Sequence, residues 1–169
     1  MPRTLLIMRH GKSRWDEEDA DDSHRSLAKR GKRDSLRMGE EIAARGLVPE
    51  VILSSPAKRA RSTVRRVIKG SGYPGDAIYD PDLYFEGVEP YLRNLSALAD
   101  EVSVAMVVGH NPVLEQLVHL LTGQAIRLPT AALACVNLPL DAWADLADGV
   151  QGSVEQLILP GELKEDAGC

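Results

Sequence analysis

Aromatic side chains are scarce in this chain: one phenylalanine, two tryptophans and four tyrosines among 169 residues. A core of ordinary size must then rest on Leu, Val, Ile and Ala. Cysteine is nearly absent too, with Cys135 in an apolar run and Cys169 as the last residue. Two cysteines so placed form neither a disulfide framework nor a C-x-x-C metal pattern, so a reducing, cytoplasmic setting is expected. No apolar run approaches the roughly 18 residues of a membrane span, and the run at 5–8 meets Arg9 and His10 too soon for a secretion signal. Net positive charge is missing as well. The formal charge of −5 excludes a nucleic-acid partner held by bulk electrostatics, and no membrane partner is expected.

What is present is an ordinary globular composition at single-domain length, read as one domain over 1–160 with a polar tail at 161–169. Charge is unevenly spread. Arg and Lys crowd 25–37 and 58–69, while acids dominate 16–22, 76–101 and the tail; both basic runs read mainly as solvated helix faces. There is no internal repeat, linker or low-complexity tract.

Along the chain, Thr4 to Met8 reads as a strand buried on both faces, and 9–26 as an exposed loop. A helix is predicted from Leu27 to Arg45, stopped by Gly46, followed by a strand at Val51 to Leu53. Ser55 and Pro56 read as the cap and first residue of a helix buried through Ala60, Val64, Val67 and Ile68. A short strand at 77–79, a helix opened by Pro90, and the most apolar strand, Val102 to Val108, come next. Asn111 and Pro112 open a helix that ends at Gly123, and strands at 131–138 and 154–159 flank a loop around Trp143. This alternation predicts an α/β fold, a three-layer sandwich with a mostly parallel sheet and helices on both faces.

Parallel sheets bind ligands at the carboxyl ends of their strands. Three strand ends carry chemistry here: Arg9-His10-Gly11-Lys12-Ser13, Ser54-Ser55-Pro56-Ala57-Lys58-Arg59 and Gly109-His110-Asn111-Pro112. On neighbouring strands they bring two histidines, two arginines and two helix N-termini to one edge, which suits a tetrahedral dianion such as phosphate. Each feature is ordinary by itself, since a histidine after a strand is commonly a loop or capping residue. Buried strands ending repeatedly in Arg and His are not ordinary. The competing structural reading is a buried, hydrogen-bonded His10–His110 pair.

The three elements, with the weaker Leu27-Ala-Lys-Arg-Gly31, resemble the histidine phosphatase superfamily, which includes the cofactor-dependent phosphoglycerate mutases. The resemblance implies a phosphoglycerate mutase-like fold and His10 as a nucleophile that is transiently phosphorylated. It implies Arg9 and Arg59 as clamps on the non-bridging oxygens and His110 as a donor to the same group. Gly11, Ser13 and Arg25 are implied substrate-binding positions. Neither a metal nor another cofactor is expected, the arginines neutralising the charge.

Arg59 and His110 stand only about 50 residues apart, too few for the covering insertion of the mutases, so an open, shallow pocket is expected. A general acid is not fixed by spacing: Glu86, Asp82 and Asp22 all remain candidates. These features resemble the SixA-type phosphohistidine phosphatases. The implied substrate is phosphohistidine on a partner protein; a small phosphate ester, or non-catalytic phosphate binding, are the alternatives. One departure from the mutase pattern is Asp16, where an Asn is usual; an inward acid there would repel phosphate.

Overall fold

Residues 2–15 and 21–163 are described in the computed structural model. The acidic residues 16–20, with Asp16, and most of the polar tail, 164–169, lie outside them. The apolar runs become the inner strands of a six-stranded sheet: β1 (Arg3–Arg9), β2 (Val51–Ser54), β3 (Ile78–Tyr79), β4 (Val104–Gly109), β5 (Leu133–Leu138) and β6 (Ser153–Ile158). Their order is β3-β2-β4-β1-β5-β6. The first four in that order run parallel, and β5 and β6 add two antiparallel pairings. No α-helix separates β5 from β6, only a 3-10 segment at Trp143–Asp148. A connection without a crossover helix leaves the two strands antiparallel.

Alternation along the central strands sorts the core into two layers. Leu5 and Ile7 of β1, with Ala105 and Val107 of β4, face α3 (Glu89–Ser96) and α4 (Val113–Thr122). Leu6, Met8, Met106 and Val108 face α1 (Lys29–Ala44) and α2 (Lys58–Ser71). Each central strand is thus buried on both sides, which is why it reads as an unbroken apolar run rather than an alternation. The fold is a single α/β domain with a mostly parallel sheet between two helical layers.

Two expectations need correction. The core is not purely aliphatic, because Trp143 and Tyr91 are fully buried, each held by one hydrogen bond. Trp143 donates Nε1–H to the Val102 carbonyl at 2.7 Å, and Tyr91 its hydroxyl to the Leu83 carbonyl at 2.8 Å. Nor does Ser55 cap a helix that begins at Pro56. The Ser55 N–H still bonds the Val108 carbonyl at 3.1 Å, so the chain stays tied to β4 through residue 55. Helix α2 starts only at Lys58, with Ala57 at the N-cap position, and the Ser55 hydroxyl is shared between the Ala57 N–H and His110.

The loop after β1 is pressed onto the start of α1 by two glycines. A side chain at Gly31 would collide with the backbone of Lys12, and one at Gly11 would meet the Gly31 carbonyl at 2.7 Å. Such overpacking against backbone costs about 1–3 kcal/mol. Gly31→Ala is accordingly expected to lower stability by about that amount and to weaken phosphate binding more than a distant variant of equal instability. Urea unfolding, followed by phosphate titration of the folded protein, checks both.

Candidate active site

Strand β1 delivers Arg9 and His10 to the carboxyl edge of the sheet, and β4 delivers His110 beside them; Arg9 pairs with Gly109 in register. Arg59 comes from the first turn of α2. Arg25 arrives by a different route. Residues 12–14 pair with 26–28 through Arg14 N–H to the Ser26 carbonyl and Ala28 N–H to the Lys12 carbonyl, both 2.8 Å. That short ribbon folds Arg25 back so that its Nη1 donates to Ser13 Oγ at 2.6 Å. The result is a cavity of 270 Å³ lined by Arg9, His10, Ser13, Arg25, Arg59 and His110, with Lys12, Trp15, Asp22, Phe85, Asn111 and Thr130 completing the wall.

His10 is held by hydrogen bonds on both ring nitrogens. Its Nδ1 lies 2.7 Å from the carbonyl oxygen of Gly11, which can only accept, so Nδ1 carries the proton. Nε2 then bears the lone pair, and Arg59 donates its Nε–H to it at 3.3 Å. Gly11 is fixed in turn, because its N–H donates to Thr63 Oγ1 at 2.9 Å. The Ala131 N–H donates to the carbonyls of both Arg9 (3.1 Å) and His10 (2.9 Å). Ala131 adopts a left-handed backbone, φ 64°, unusual for a residue with a Cβ and a mark of local strain.

Burial, with the charges of Arg59, Arg9 and Arg25, pushes the His10 pKa down to about 3 despite the Gly11 hydrogen bond. Burial, then His10 and the same arginines, push His110 down to about 2. Both imidazoles are therefore neutral at pH 7. The His110 Nε2 lies 2.7 Å from Ser55 Oγ. Ser55 Oγ also accepts the Ala57 N–H at 3.2 Å; with its own proton given to His110 Nε2, we assign the His110 proton to Nδ1. That Nδ1 is buried without a hydrogen-bond partner, as are Arg9 Nε and Arg25 Nε. Buried donors without acceptors, on residues that line one pocket together with a third arginine, suit an acceptor-rich anion.

Asp22, on a 3-10 turn at Asp22–His24, supplies the negative charge in the pocket. Its carboxylate bridges Arg59 Nη2 at 2.9 Å and Arg25 Nη2 at 3.1 Å, while Arg59 Nη1 donates to its carbonyl at 2.5 Å. The Tyr84 hydroxyl donates to the same carboxylate. Burial pushes the Asp22 carboxyl up, but hydrogen bonds and charge from Arg59 and then Arg25 outweigh it and hold the group below its ordinary value. Asp22 thus rests on two guanidiniums that stand beside His10.

The other carboxyl candidates stand apart. Asp82 is exposed and paired with Arg93 at 3.1 Å, and Glu86 is exposed and outside the cavity wall. Sequence reasoning missed Trp15, Tyr84, Phe85 and Asn111. Phe85 and Tyr84 both lie with ring centroids 5.0 Å from His110; Trp15 stacks under Arg25 at 3.6 Å. These are loop residues, whose signal was only that aromatics are rare and three fall near 9–26 and 81–87. Among the described residues, no group of three or more His, Cys, Asp or Glu is placed to hold a metal ion, and no helix is long and apolar enough to cross a membrane.

The model of the histidine phosphatase superfamily (branch 1) matches residues 5–84, the stretch that contains His10, Arg25 and Arg59. Over that stretch, just under half of its length, the chain is similar to the histidine phosphatase superfamily. It is similar to the solved structure of the protein histidine phosphatase SixA complexed with tungstate, at 29% identity and TM-score 0.82, covering 95% of this chain and 99% of that one. A structure from Agrobacterium tumefaciens also given as SixA has 25% identity and TM-score 0.80, covering 95% and 99%. An uncharacterized chloroplastic protein of Arabidopsis thaliana is 28% identical over 152 residues, 85% of this chain and 70% of that relative. The superfamily fold and these neighbours support a phosphatase.

Two outcomes follow from the charge arrangement. Neutral His10 takes up its proton in the unfolded chain near pH 6.5 but in the folded one only near pH 3. The stability this confers on the unfolded-to-folded balance is whole above pH 6.5 and is lost as pH falls toward 3. Wild type should therefore lose stability relative to His10→Gln as pH is lowered from 7 to 4, as read by urea unfolding. Asp22→Asn, which removes the internal competitor for Arg59 and Arg25, should bind tungstate several-fold more tightly by calorimetric titration.

Proposed function

We propose that the chain is a metal-independent phosphatase that removes phosphate from phosphohistidine on a partner protein by way of a phosphorylated His10. The observation that carries this reading is a preset nucleophile with, among the described residues, no protonated carboxylic acid poised beside it. His10 Nε2 has its lone pair free of protons and faces a cavity ringed by Arg9, Arg25 and Arg59. Asp22, the one carboxylate among the described residues of the cavity wall, is held ionised by two of those arginines.

In the proposed reaction the phosphoryl oxygens take the guanidiniums of Arg59 and Arg25, displacing the Asp22 carboxylate, and receive His110 Nδ1–H. Ser13 lines the pocket, whereas Gly11, whose N–H and carbonyl are engaged by Thr63 and His10, acts through His10 and not, as expected, on the substrate. His10 Nε2 attacks in line; the bond from phosphorus to Nε2 forms as the bond from phosphorus to the substrate nitrogen breaks. The leaving imidazole departs neutral when its other nitrogen is protonated, so it takes no proton from the enzyme. Water then attacks phosphorus, its oxygen bonding as the bond to Nε2 breaks, and the products are phosphate and neutral His10. Charge on the equatorial oxygens is met by donors already in place, the largest catalytic contribution such a site can make. An alkoxide leaving group, by contrast, needs an acid.

The rim supports a protein substrate. Trp15 is 75% exposed and Phe85 49% exposed beside the pocket, two large aromatics with no core role and free to contact another surface. The tungstate bound by the SixA relative is a tetrahedral oxyanion of the same shape class as phosphate. The free, buried Cys135 fits a reducing compartment such as the cytoplasm.

A second reading, hydrolysis of small phosphate esters, draws on Asp22. Once a dianion takes its arginines, this carboxyl loses two partners and gains a negative neighbour, both of which raise its pKa toward that of a working acid. The two readings separate on two substrates without metal, a histidine-phosphorylated carrier protein and p-nitrophenyl phosphate. The first reading expects rapid turnover of the phosphoprotein, slow turnover of the ester, and loss of both in His10→Ala. Rapid ester turnover that is abolished by Asp22→Asn, with the phosphoprotein untouched, would establish the second instead.

A further inference from the structure

Helix α2 has two functional faces. Arg59, 1% exposed, looks inward to His10. Lys58, Arg61 and Arg65 look outward, all exposed, and spacings of three and four residues put them on one helical stripe. They line a groove of 540 Å³ together with Ser23, His24, Ser62, Pro81 and Tyr84, and Asp21 beside it is taken up by His24 at 2.7 Å. This is the larger neighbour of the 270 Å³ reaction pocket, and the two share a wall. Tyr84 lines the groove while its hydroxyl holds Asp22, which lines the pocket, and its ring packs against His110.

The stripe is unneutralised. Among the described residues no carboxylate pairs with Lys58, Arg61 or Arg65, and the nearby Asp80 and Asp82 are taken up by Arg93 at 3.5 and 3.1 Å. Arg61 lies over the ring of Tyr79, 4.9 Å from its centroid, which keeps the guanidinium extended over β3 rather than folded onto an acid. In a chain of net charge −5, three unpaired cations beside the site are a local reversal of sign. A long polyanion such as nucleic acid would be repelled by the rest of the surface. The stripe spans seven helical rises, about 10 Å, which matches about three residues of extended chain.

We propose that this groove docks an acidic segment of the phosphoprotein substrate, lying beside the phosphohistidine that enters the pocket. The inference rests on the protein-phosphohistidine reading of the site and adds to it what the substrate must carry: Asp or Glu residues close to the modified histidine. The arginines act by holding that segment and raising encounter rates, not on the phosphoryl group. Their effect belongs in KM and its salt dependence.

The test uses two synthetic phosphohistidine peptides, identical except that Glu or Gln residues flank the modified position, with phosphoramidate as a small substrate. Wild type and Arg61→Glu/Arg65→Glu are compared on all three. The proposal expects wild type to favour the Glu peptide by about tenfold in kcat/KM, chiefly through KM, with the preference shrinking at high salt. The double variant should lose or invert that preference while its phosphoramidate turnover is unchanged, which also shows that it is folded. Equal handling of the two peptides by wild type, or an undiminished preference in the variant, overturns the docking role and leaves the phosphatase reading standing. Loss of phosphoramidate turnover in the variant overturns it too, by assigning the arginines to the site itself. Turnover of phosphoramidate with neither peptide touched by wild type overturns the protein-substrate reading and the docking role together.

Discussion

Three guanidiniums gathered around an uncharged imidazole are the constraint on which the rest of this structure depends. Arg9, Arg25 and Arg59 all stand close enough to His10 to depress its protonation, and burial does the same more strongly. Such a cluster is unstable unless an anion or a carboxylate answers it. Much of the surrounding architecture does that answering. The Leu128 carbonyl accepts from Arg9 at 3.2 Å, with Glu115 behind it accepting the Leu128 N–H at 2.7 Å. Asp22 spans Arg25 and Arg59. The arginines are thus kept ready without being neutralised from all sides, and buried donors remain for a further acceptor.

The sheet explains why these groups meet. Parallel strands β1 and β4 end side by side, so the residues that follow them are neighbours whatever their separation in sequence. Helix α2 leaves the end of β2 and returns Arg59 over the same edge. The His10 ring is further fixed through the backbone of its neighbours. Gly11 supplies the carbonyl that sets the tautomer, Thr63 holds Gly11, and Ala131 anchors the peptide units of residues 9 and 10. In the proposed reaction, fixing the ring in this way removes reorganisation at the moment of attack, which is where preorganised sites gain most of their rate.

How much of this the sequence discloses follows from the range of the interactions involved. Arg9, His10, Arg59 and His110 are legible because each sits at a fixed offset from an apolar run, and strand ends of a parallel sheet share an edge. The three-layer fold is legible for the same reason, since only strands buried on both faces read as unbroken Leu-Ile-Met or Val-Ala-Met-Val-Val. Arg25 needed the resemblance, because its position depends on pairing of 12–14 with 26–28 through backbone alone. Ser55 was misread since Ser-Pro is a common helix start; a tertiary bond to β4 and a partner in His110 overrode that local preference. Tyr84, Phe85 and Trp15 sit on loops without periodicity, and nothing local says that they converge. Asp22 is visible as a carboxylate, but its bridge between two arginines depends on distances that no spacing encodes.

The central claim is that His10 carries the phosphoryl group during turnover. The most direct measurement is mass-spectrometric mapping of the enzyme mixed with phosphoramidate and quenched in alkali within the first turnover. The account predicts phosphate on His10 alone, stable in base, labile in acid, and decaying at a rate consistent with turnover. Turnover with no phosphorylated enzyme at any time, or phosphate on another residue at full occupancy, would contradict it.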